Sequence, residues 1–270
     1  MKDPTVTRTP ASPNVYIREG GSGSPTLLLL HGLGATGDVW TGVTALLEQR
    51  WPGSWMVPDL PGHGRSGRLD RYTYSTMAHA IADALDVREP LCIMGHSLGG
   101  VLAMMLASDE FGVDVRSVCA LSVKPDEWPE EAMSAAVAIA AMPHPSFATK
   151  SEAIDHVLSS LGEVDDLTAW PAEARNWWAS CVLENEGGWA PAMDQGVYAV
   201  GPHEMDELLA RCRADLLLAA GTMDPLCPPN ALRSLHPNVV LLDGEGHSPH
   251  VRDANTMWPL LQHFLDGSCK

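Results

Sequence analysis

One ten-residue segment, 91–100 with the sequence LCIMGHSLGG, constrains the fold of this chain more than any other. Its apolar first half predicts a buried strand, and the run that follows, 98–107, is apolar on nearly every side and predicts a helix at the centre of the fold. Gly95 and Gly99 flank Ser97 at the junction, because a tight turn from strand to helix leaves no room there for a Cβ atom. Since such a turn lifts the serine hydroxyl out of the edge of the sheet, we predict that Ser97 is a nucleophile.

Several other short apolar runs have turn residues on both sides. Continuous apolar runs are typical of strands in a parallel sheet that is covered on both faces. Because these runs alternate with helical stretches, the sequence predicts an α/β fold with a mostly parallel, doubly wound sheet. The predicted strands are 26–30, 55–58, 91–95, 117–123, 215–221 and 238–243, and the predicted helices of this core are 39–50, 74–87, 98–109, 228–235 and 254–265.

The alternation stops between about Pro125 and Glu204, where helical pieces are predicted (130–141, 151–161 and 171–183) and no clear strand. Residues 125–205 contain 14 Asp and Glu against two Lys and Arg, together with five of the nine tryptophans. We interpret this stretch as a helical cap, inserted between two strands of a core that is formed by residues 1–124 and 206–270.

The charge balance restricts the partners. The chain has 17 Lys and Arg against 34 Asp and Glu, a net charge of −17, so we expect neither nucleic acid nor a membrane surface as a partner. No apolar run reaches the roughly 18 residues that a membrane span needs. The polar, Pro-rich N-terminus predicts no signal peptide, and six scattered cysteines without a CxxC pair predict reduced thiols and a cytoplasmic location. The oligomeric state is not predicted.

With the HGLG motif that follows the first predicted strand, the chain resembles the α/β-hydrolase family over nearly its whole length. That resemblance implies a capped α/β-hydrolase fold that uses no cofactor. It also implies an oxyanion hole formed by the backbone N–H groups of Leu33 and Leu98. The segment 59–66, DLPGHGRS, resembles a structural loop of the family, and we assign it no catalytic role.

A nucleophilic serine needs a base, and the base needs a carboxylate that fixes its tautomer. Asp224 and His247 each follow a predicted strand, in the order Ser, Asp, His that this fold requires. We therefore predict that Ser97, Asp224 and His247 form a catalytic triad. Asp126 and Asp243 are the alternatives for the acid, and His250 is the alternative for the base.

Other site chemistries have little support in the sequence. The spacing of His247 and His250 in a loop, without partnering Cys or carboxylate residues, makes a weak case for zinc, and we predict no metal site. Neither an HExxH motif nor a GxGxxG motif after a strand occurs. Dehalogenases and epoxide hydrolases of this fold carry an aspartate at the position of Ser97.

We therefore expect hydrolysis of a carboxylic ester or lactone through an acyl-enzyme on Ser97, with a small to medium, mainly neutral ester as the small-molecule partner. Trp128, Trp177 and Trp178 are expected to contact the substrate, or alternatively only to pack the cap on the core. Hydrolysis of a carbon–carbon bond in ring-cleavage products is an alternative, although that family has a tryptophan where this chain has Ser248. A small-molecule receptor with slow turnover is an alternative of another class.

Overall fold

The computed structural model describes residues 14–268 except 88, 126–127, 162–167 and 169. Its strands are β1 (Ile17–Gly21), β2 (Thr26–Leu30), β3 (Ser54–Pro58), β4 (Leu91–His96), β5 (Val115–Leu121), β6 (Val182–Asn185), β7 (Gly188–Pro191), β8 (Asp215–Gly221) and β9 (Val239–Leu242). Seven of them form one sheet in the order β1-β3-β2-β4-β5-β8-β9. β1 is antiparallel to β3, and every other pair in this sheet is parallel. The predicted α/β class with a mostly parallel sheet is confirmed.

Helices follow most of the parallel strands. They are α1 (Thr41–Arg50), α2 (Tyr74–Ala84), α3 (Leu98–Leu106), α4 (Glu130–Ala140), α5 (Lys150–Leu161), α6 (Ala172–Trp177), α7 (Met205–Arg211), α8 (Pro229–Leu235), α9 (Pro249–Arg252) and α10 (Ala254–Ser268). Shorter 3-10 turns occupy Gly37–Trp40, Trp178–Cys181 and Gln195–Val200.

The central strands are mostly apolar because both faces of the sheet are covered. In β2, Leu27 and Leu29 belong to a core that includes Phe264 of α10, whereas Leu28 and Leu30 belong to a second core on the opposite face. All four leucine side chains are fully buried. Alternation of side chains along a strand thus explains why an uninterrupted apolar run folds as a strand here.

The strand order reverses between β2 and β4, since β3 lies on one side of β2 and β4 on the other. In open α/β sheets such a reversal opens a crevice at the carboxyl ends of the two strands, and ligands bind there. β2 ends just before the HGLG motif, and β4 ends just before Ser97. The topology therefore places both predicted parts of the site at one crevice.

The stretch between β5 and β8 is not purely helical. β6 and β7 pair as an antiparallel hairpin, so the prediction of a stretch without strands is wrong there. The predicted helix 171–183 is divided among three elements. The first part is α6, the second is the 3-10 turn Trp178–Cys181, and the last residues belong to β6. The strands are short, β6 is mostly exposed and β7 mostly half-buried, and neither has an alternating apolar pattern that would have predicted it.

Backbone hydrogen bonds join this stretch to the loop after β3. The amide of Gly64 donates to the carbonyl of Ala192 at 2.9 Å, and the amide of Asp194 donates to the carbonyl of Gly62 at 2.7 Å. Farther along the crevice the hydroxyls of Thr36 and Ser180 lie 2.7 Å apart. The division into a core and a cap stays a prediction, but the stretch contacts the loops that follow β2 and β3.

Four cysteines, Cys119, Cys181, Cys212 and Cys227, are free thiols as predicted. Cys92 is disulfide-bonded, so the prediction of reduced thiols is wrong for that residue. Within the described part of the chain, no helix has the length and apolar character that crossing a membrane requires. The cytoplasmic location stays a prediction.

The turn between β4 and α3 is packed against backbone on both sides. A Cβ atom on Gly95 would lie 2.1 Å from the carbonyl oxygen of Gly99, and one on Gly99 would lie 2.4 Å from that of Leu30. Neither neighbour is a side chain that could rotate away. Both positions therefore require glycine for steric reasons.

We expect Gly95→Ala to lower the free energy of unfolding by about 2–3 kcal/mol, because the added methyl group overpacks a site walled by backbone. Urea unfolding followed by circular dichroism measures the change. Gly267→Ala is the matched control, since a Cβ there meets no heavy atom within 4 Å and the residue lies in α10. Its expected effect is neutral to stabilising by up to about 1 kcal/mol. Equal stability of Gly95→Ala and wild type would contradict the steric argument.

Candidate active site

Ser97 occupies a strained backbone position at the junction of β4 and α3. Its φ is 49° and its ψ is −115°, a conformation that a residue with a side chain rarely adopts. The amide of Ser97 donates to the carbonyl of Leu121 in the neighbouring strand at 2.9 Å, and this bond helps to hold the turn. The predicted strand, turn and helix around Ser97 are all present.

The predicted oxyanion donors lie on either side of this turn. Leu98 is the first residue of α3, and the first amides of a helix have no acceptor within the helix. A Cβ on Gly32 would lie 3.4 Å from the Cβ of Ser97, so the loop that contains Leu33 passes directly beside the serine. Leu33 itself is 39% exposed.

Two buried histidines hold the loop that contains Leu33. The backbone amide of Leu60 donates to Nε2 of His31 at 2.8 Å, so the ring proton is on Nδ1, which donates to the carbonyl of Gly32 at 2.8 Å. His63 accepts from the amide of Gly34 at 3.3 Å. Burial lowers the pKa of both histidines, that of His63 to about 3, so both are neutral at physiological pH.

A buried carboxylate fixes the backbone next to this loop. Asp59 accepts hydrogen bonds from the amides of Gly37 and Arg65, both at 2.8 Å, and pairs with the Arg65 guanidinium at 2.7 Å. Burial by itself would raise the pKa of Asp59, but the bonds from Arg65 outweigh it and keep that pKa below its usual range. The segment 59–66 thus has the structural role that was expected of it.

Asp224 and His247 come together after β8 and β9. Nδ1 of His247 lies 3.0 Å from Oδ2 of Asp224, and both side chains are buried. The other carboxylate oxygen accepts from the amide of Leu226 at 2.9 Å. Burial by itself would raise the pKa of Asp224, but the hydrogen bond and charge of His247 lower it overall, so the aspartate is ionised at neutral pH.

The loop after β9 is anchored independently of this pair. The carbonyl of Glu245 accepts from the amide of Met223 at 2.8 Å, which ties the loop to the turn before Asp224. The buried carboxylate of Glu245 pairs with the guanidinium of Arg252 in α9, with Nε donating at 2.7 Å. These bonds hold the loop at Glu245, two residues before His247.

The alternative residues are placed differently. Asp243 is exposed, and its carboxylate accepts a hydrogen bond from the hydroxyl of Thr222 at 3.4 Å. His250 is buried, and its ring lies 4.2 Å from that of Trp40 and does not bond to a carboxylate among the described residues. Asp126 lies outside the described residues. The structure thus pairs His247 with Asp224. It does not place Asp243 beside an imidazole or His250 beside a carboxylate among the described residues.

The three tryptophans predicted to contact the substrate make packing contacts. Trp178 is buried in the core on one face of the sheet, and Trp177 packs against the same cluster. Trp128 is half-buried, with the ammonium of Lys124 5.5 Å from its ring. These contacts fit the alternative in which tryptophans seat the inserted stretch, and a role in substrate binding stays a prediction.

The arrangement provides a serine hydroxyl, an imidazole held by a carboxylate, and backbone N–H groups at the start of a helix. These groups can activate a nucleophile and stabilise negative charge on an oxygen atom, which is the chemistry of acyl transfer. Within the described residues no group of three or more His, Cys, Asp and Glu side chains is placed to hold a metal ion.

Comparison with known proteins agrees with this geometry. The family model described as "Alpha/beta hydrolase family" matches residues 27–256, which include every strand of the main sheet except β1 and the first residue of β2. The chain belongs to the alpha/beta hydrolase family.

The individual relatives differ in how much of each chain they match. An uncharacterized protein of Mycobacterium tuberculosis (strain H37Rv) is 44% identical over 95 residues, which are 33% of this chain and only 26% of that protein. A pimeloyl-[acyl-carrier protein] methyl ester esterase of Aeromonas hydrophila is 26% identical over 264 residues, which are 93% of this chain and 99% of that enzyme. The solved structure of E-2-(acetamidomethylene)succinate hydrolase superposes with a TM-score of 0.79 at 22% identity and covers 95% of this chain and 97% of its own, a likeness that shows the fold.

Sequence reasoning missed the residues that hold the site. His31, His63 and His96 were assigned to motifs, but their hydrogen-bond partners were not predicted. A histidine next to a glycine-rich loop gives a weak signal, because its partner is another loop that only the fold brings near. Asp59 is different, since an Asp before a turn and an Arg six residues later are a recognisable local pair.

We expect Asp224→Asn to lower kcat about 10⁴-fold, because an amide cannot hold the imidazole in the tautomer that accepts the serine proton. Steady-state hydrolysis of p-nitrophenyl butyrate measures the effect. Asp243→Asn is the matched control, since this carboxylate is exposed on the adjoining loop, and its kcat is expected within twofold of wild type. A similar loss in the two variants would contradict the assignment of Asp224.

Proposed function

We propose that this protein is a serine hydrolase that cleaves a carboxylic ester or lactone of small to medium size. The observation that carries the proposal is the 3.0 Å bond between His247 Nδ1 and Asp224 Oδ2, at the same edge of the sheet as the strained turn of Ser97. A buried Asp–His pair beside a nucleophile turn is the arrangement that activates serine for acyl transfer.

In the first half of the proposed reaction, Oγ of Ser97 attacks the carbonyl carbon of the ester. His247 takes the serine proton on Nε2, and the ionised Asp224 stabilises the imidazolium through Nδ1–H. The oxygen of the tetrahedral intermediate carries a negative charge, which the amides of Leu33 and Leu98 stabilise. The intermediate collapses when His247 gives its proton to the departing alcohol, and an acyl group remains on Ser97.

In the second half, water replaces the alcohol. His247 takes a proton from the water as its oxygen attacks the acyl carbon, and the same two amides stabilise the second tetrahedral intermediate. His247 then returns the proton to Oγ of Ser97, and the carboxylic acid leaves. Every proton transfer uses a residue of this chain, so the proposed cycle needs no cofactor.

The preference for neutral substrates rests on charge. Residues 125–205 contain 14 acidic residues and only Lys150 and Arg175 as cations, whereas sites for a carboxylate or phosphate are typically rich in arginine. The relative from Aeromonas hydrophila is named a methyl ester esterase, which supports an ester as the substrate class. A thermophilic esterase from Thermogutta terrifontis shares this fold, with a TM-score of 0.75 at 17% identity.

The test is hydrolysis of a series of p-nitrophenyl esters, from acetate to dodecanoate, by wild type and Ser97→Ala. Wild type is expected to exceed about 1 turnover per second on its preferred chain length. Ser97→Ala is expected to lower kcat by at least about 10⁴-fold, because the nucleophile is gone. The optimum of the series measures the length of acyl chain that the site accepts.

Ser234→Ala is the matched control, since this exposed hydroxyl donates to the carbonyl of Ala231 in its own helix. It is expected to keep the wild-type rate. Equal turnover in wild type and Ser97→Ala would overturn the proposed mechanism. Sub-stoichiometric release of p-nitrophenol by wild type across the series would overturn ester hydrolysis as the activity.

A further inference from the structure

The side chain of His96, the residue directly before Ser97, reaches the loop of the proposed base. Its Nε2 lies 2.9 Å from the backbone carbonyl oxygen of His247. A carbonyl oxygen only accepts hydrogen bonds, so Nε2 carries the proton and donates it. The bond joins two residues that are 151 positions apart in the sequence, and it is buried.

The ring of His96 is enclosed on several sides. It meets the ring of His247 edge-on at 4.9 Å between centroids and lies 4.5 Å from the ring of His250, which in turn lies against Trp40. On the loop that contains Leu33, a Cβ on Gly32 would approach Nδ1 of His96 to 2.7 Å. This enclosure leaves the ring little room to turn away from the carbonyl.

His96 is also held in its neutral form. Burial has the largest effect and lowers its pKa well below the ordinary value, and the neighbouring His250 and His247 lower it further. His96 therefore donates one proton to the carbonyl of His247 and does not compete with His247 for the proton of the nucleophile. Its contribution to the site is geometric.

We propose that His96 is a positioning residue for the reaction: its imidazole holds the backbone carbonyl of the base, His247, at a fixed distance from the nucleophile, Ser97. Ser97 is covalently attached to His96, and the carbonyl that His96 holds belongs to His247 itself. The side chain also touches Gly32, so one imidazole sets the spacing of three loops that supply the nucleophile, the base and one oxyanion donor. This inference rests on the proposed function.

The consequence is specific to catalysis. Losing the bond allows the loop after β9 to shift relative to Ser97, and a misplacement of about 1 Å costs about 10²-fold in rate. The surfaces that bind the rest of the ester are left in place. The loss is therefore expected in kcat, with KM little changed.

The experiment compares His96→Phe, which keeps a ring but removes the donor, with His96→Gln, whose amide nitrogen can replace the Nε2–H. His203→Phe is the matched control, because His203 also places Nε2 2.9 Å from a backbone carbonyl, that of Lys124. For each variant, kcat and KM are measured on the preferred p-nitrophenyl ester, and the melting temperature is measured by circular dichroism. If His96→Phe does not fold, His96→Ala takes its place.

A second readout separates this inference from the proposed function. Diethyl p-nitrophenyl phosphate reacts with an activated serine: Oγ bonds to phosphorus, p-nitrophenolate leaves, and the serine proton passes to His247. The rate constant for labelling of Ser97 reports activation of the serine even if no ester of the series is hydrolysed.

We expect His96→Phe to lower kcat and the labelling rate constant 30- to 100-fold with KM within threefold of wild type. His96→Gln should have a kcat and a labelling rate constant at least tenfold higher than those of His96→Phe. His203→Phe should have both values within twofold of wild type. The inference is overturned if folded His96→Phe labels as fast as wild type, if the loss appears in KM alone, or if His96→Gln is no faster than His96→Phe. Failure of ester hydrolysis with intact labelling in wild type would instead overturn the proposed function.

Discussion

The close approach of α3 to the ends of β2 and β4 is the constraint on which the rest of this structure depends. Gly95 and Gly99 let the helix begin against the backbone of Leu30, with less than a methyl group of room at either position. Because the helix lies this close, Ser97 is forced to a positive φ, and its side chain leaves the sheet. Packing that looks like a requirement of the fold therefore also creates the position of the candidate nucleophile.

The rest of the site is assembled from loops that end neighbouring strands, and buried polar contacts set the distances between those loops. His31 joins the HGLG loop to Leu60, Glu245 joins the loop of His247 to Met223, and His96 joins the loop of His247 to the nucleophile turn. Each contact uses a backbone amide or carbonyl as one partner. The loops thus hold their positions through bonds to backbone groups.

Much of this site was predictable from the sequence because its signals are local. Ser97 lies between two glycines and two apolar runs, and Asp224 and His247 each follow a strand that the apolar pattern identifies. The hydrogen bond between Asp224 and His247 could be expected because parallel strands end at one edge of the sheet. The bonds of His31 and His96 could not, since their partners lie 29 and 151 residues away and only the folded loops bring them together.

The difference between local signals and tertiary contacts also explains the errors in the predicted fold. β6 and β7 are four residues each, and β6 is largely exposed, so neither has the apolar alternation by which a strand is recognised. β1, IREGG, is an edge strand with polar residues, and the antiparallel pairing with β3 that defines it is a tertiary contact. Elements stabilised by pairing, and not by burial of their own side chains, leave little trace in a sequence.

The bonds between Gly64 and Ala192 and between Gly62 and Asp194 join backbone to backbone. Such bonds do not depend on which side chains the inserted stretch carries. Over evolutionary time, exposed side chains of residues 125–205 can therefore be exchanged while the stretch stays bound to the same two loops. A lineage that inherits this fold can therefore vary the exposed surface of one segment while the loops after β3, β8 and β9 are inherited unchanged.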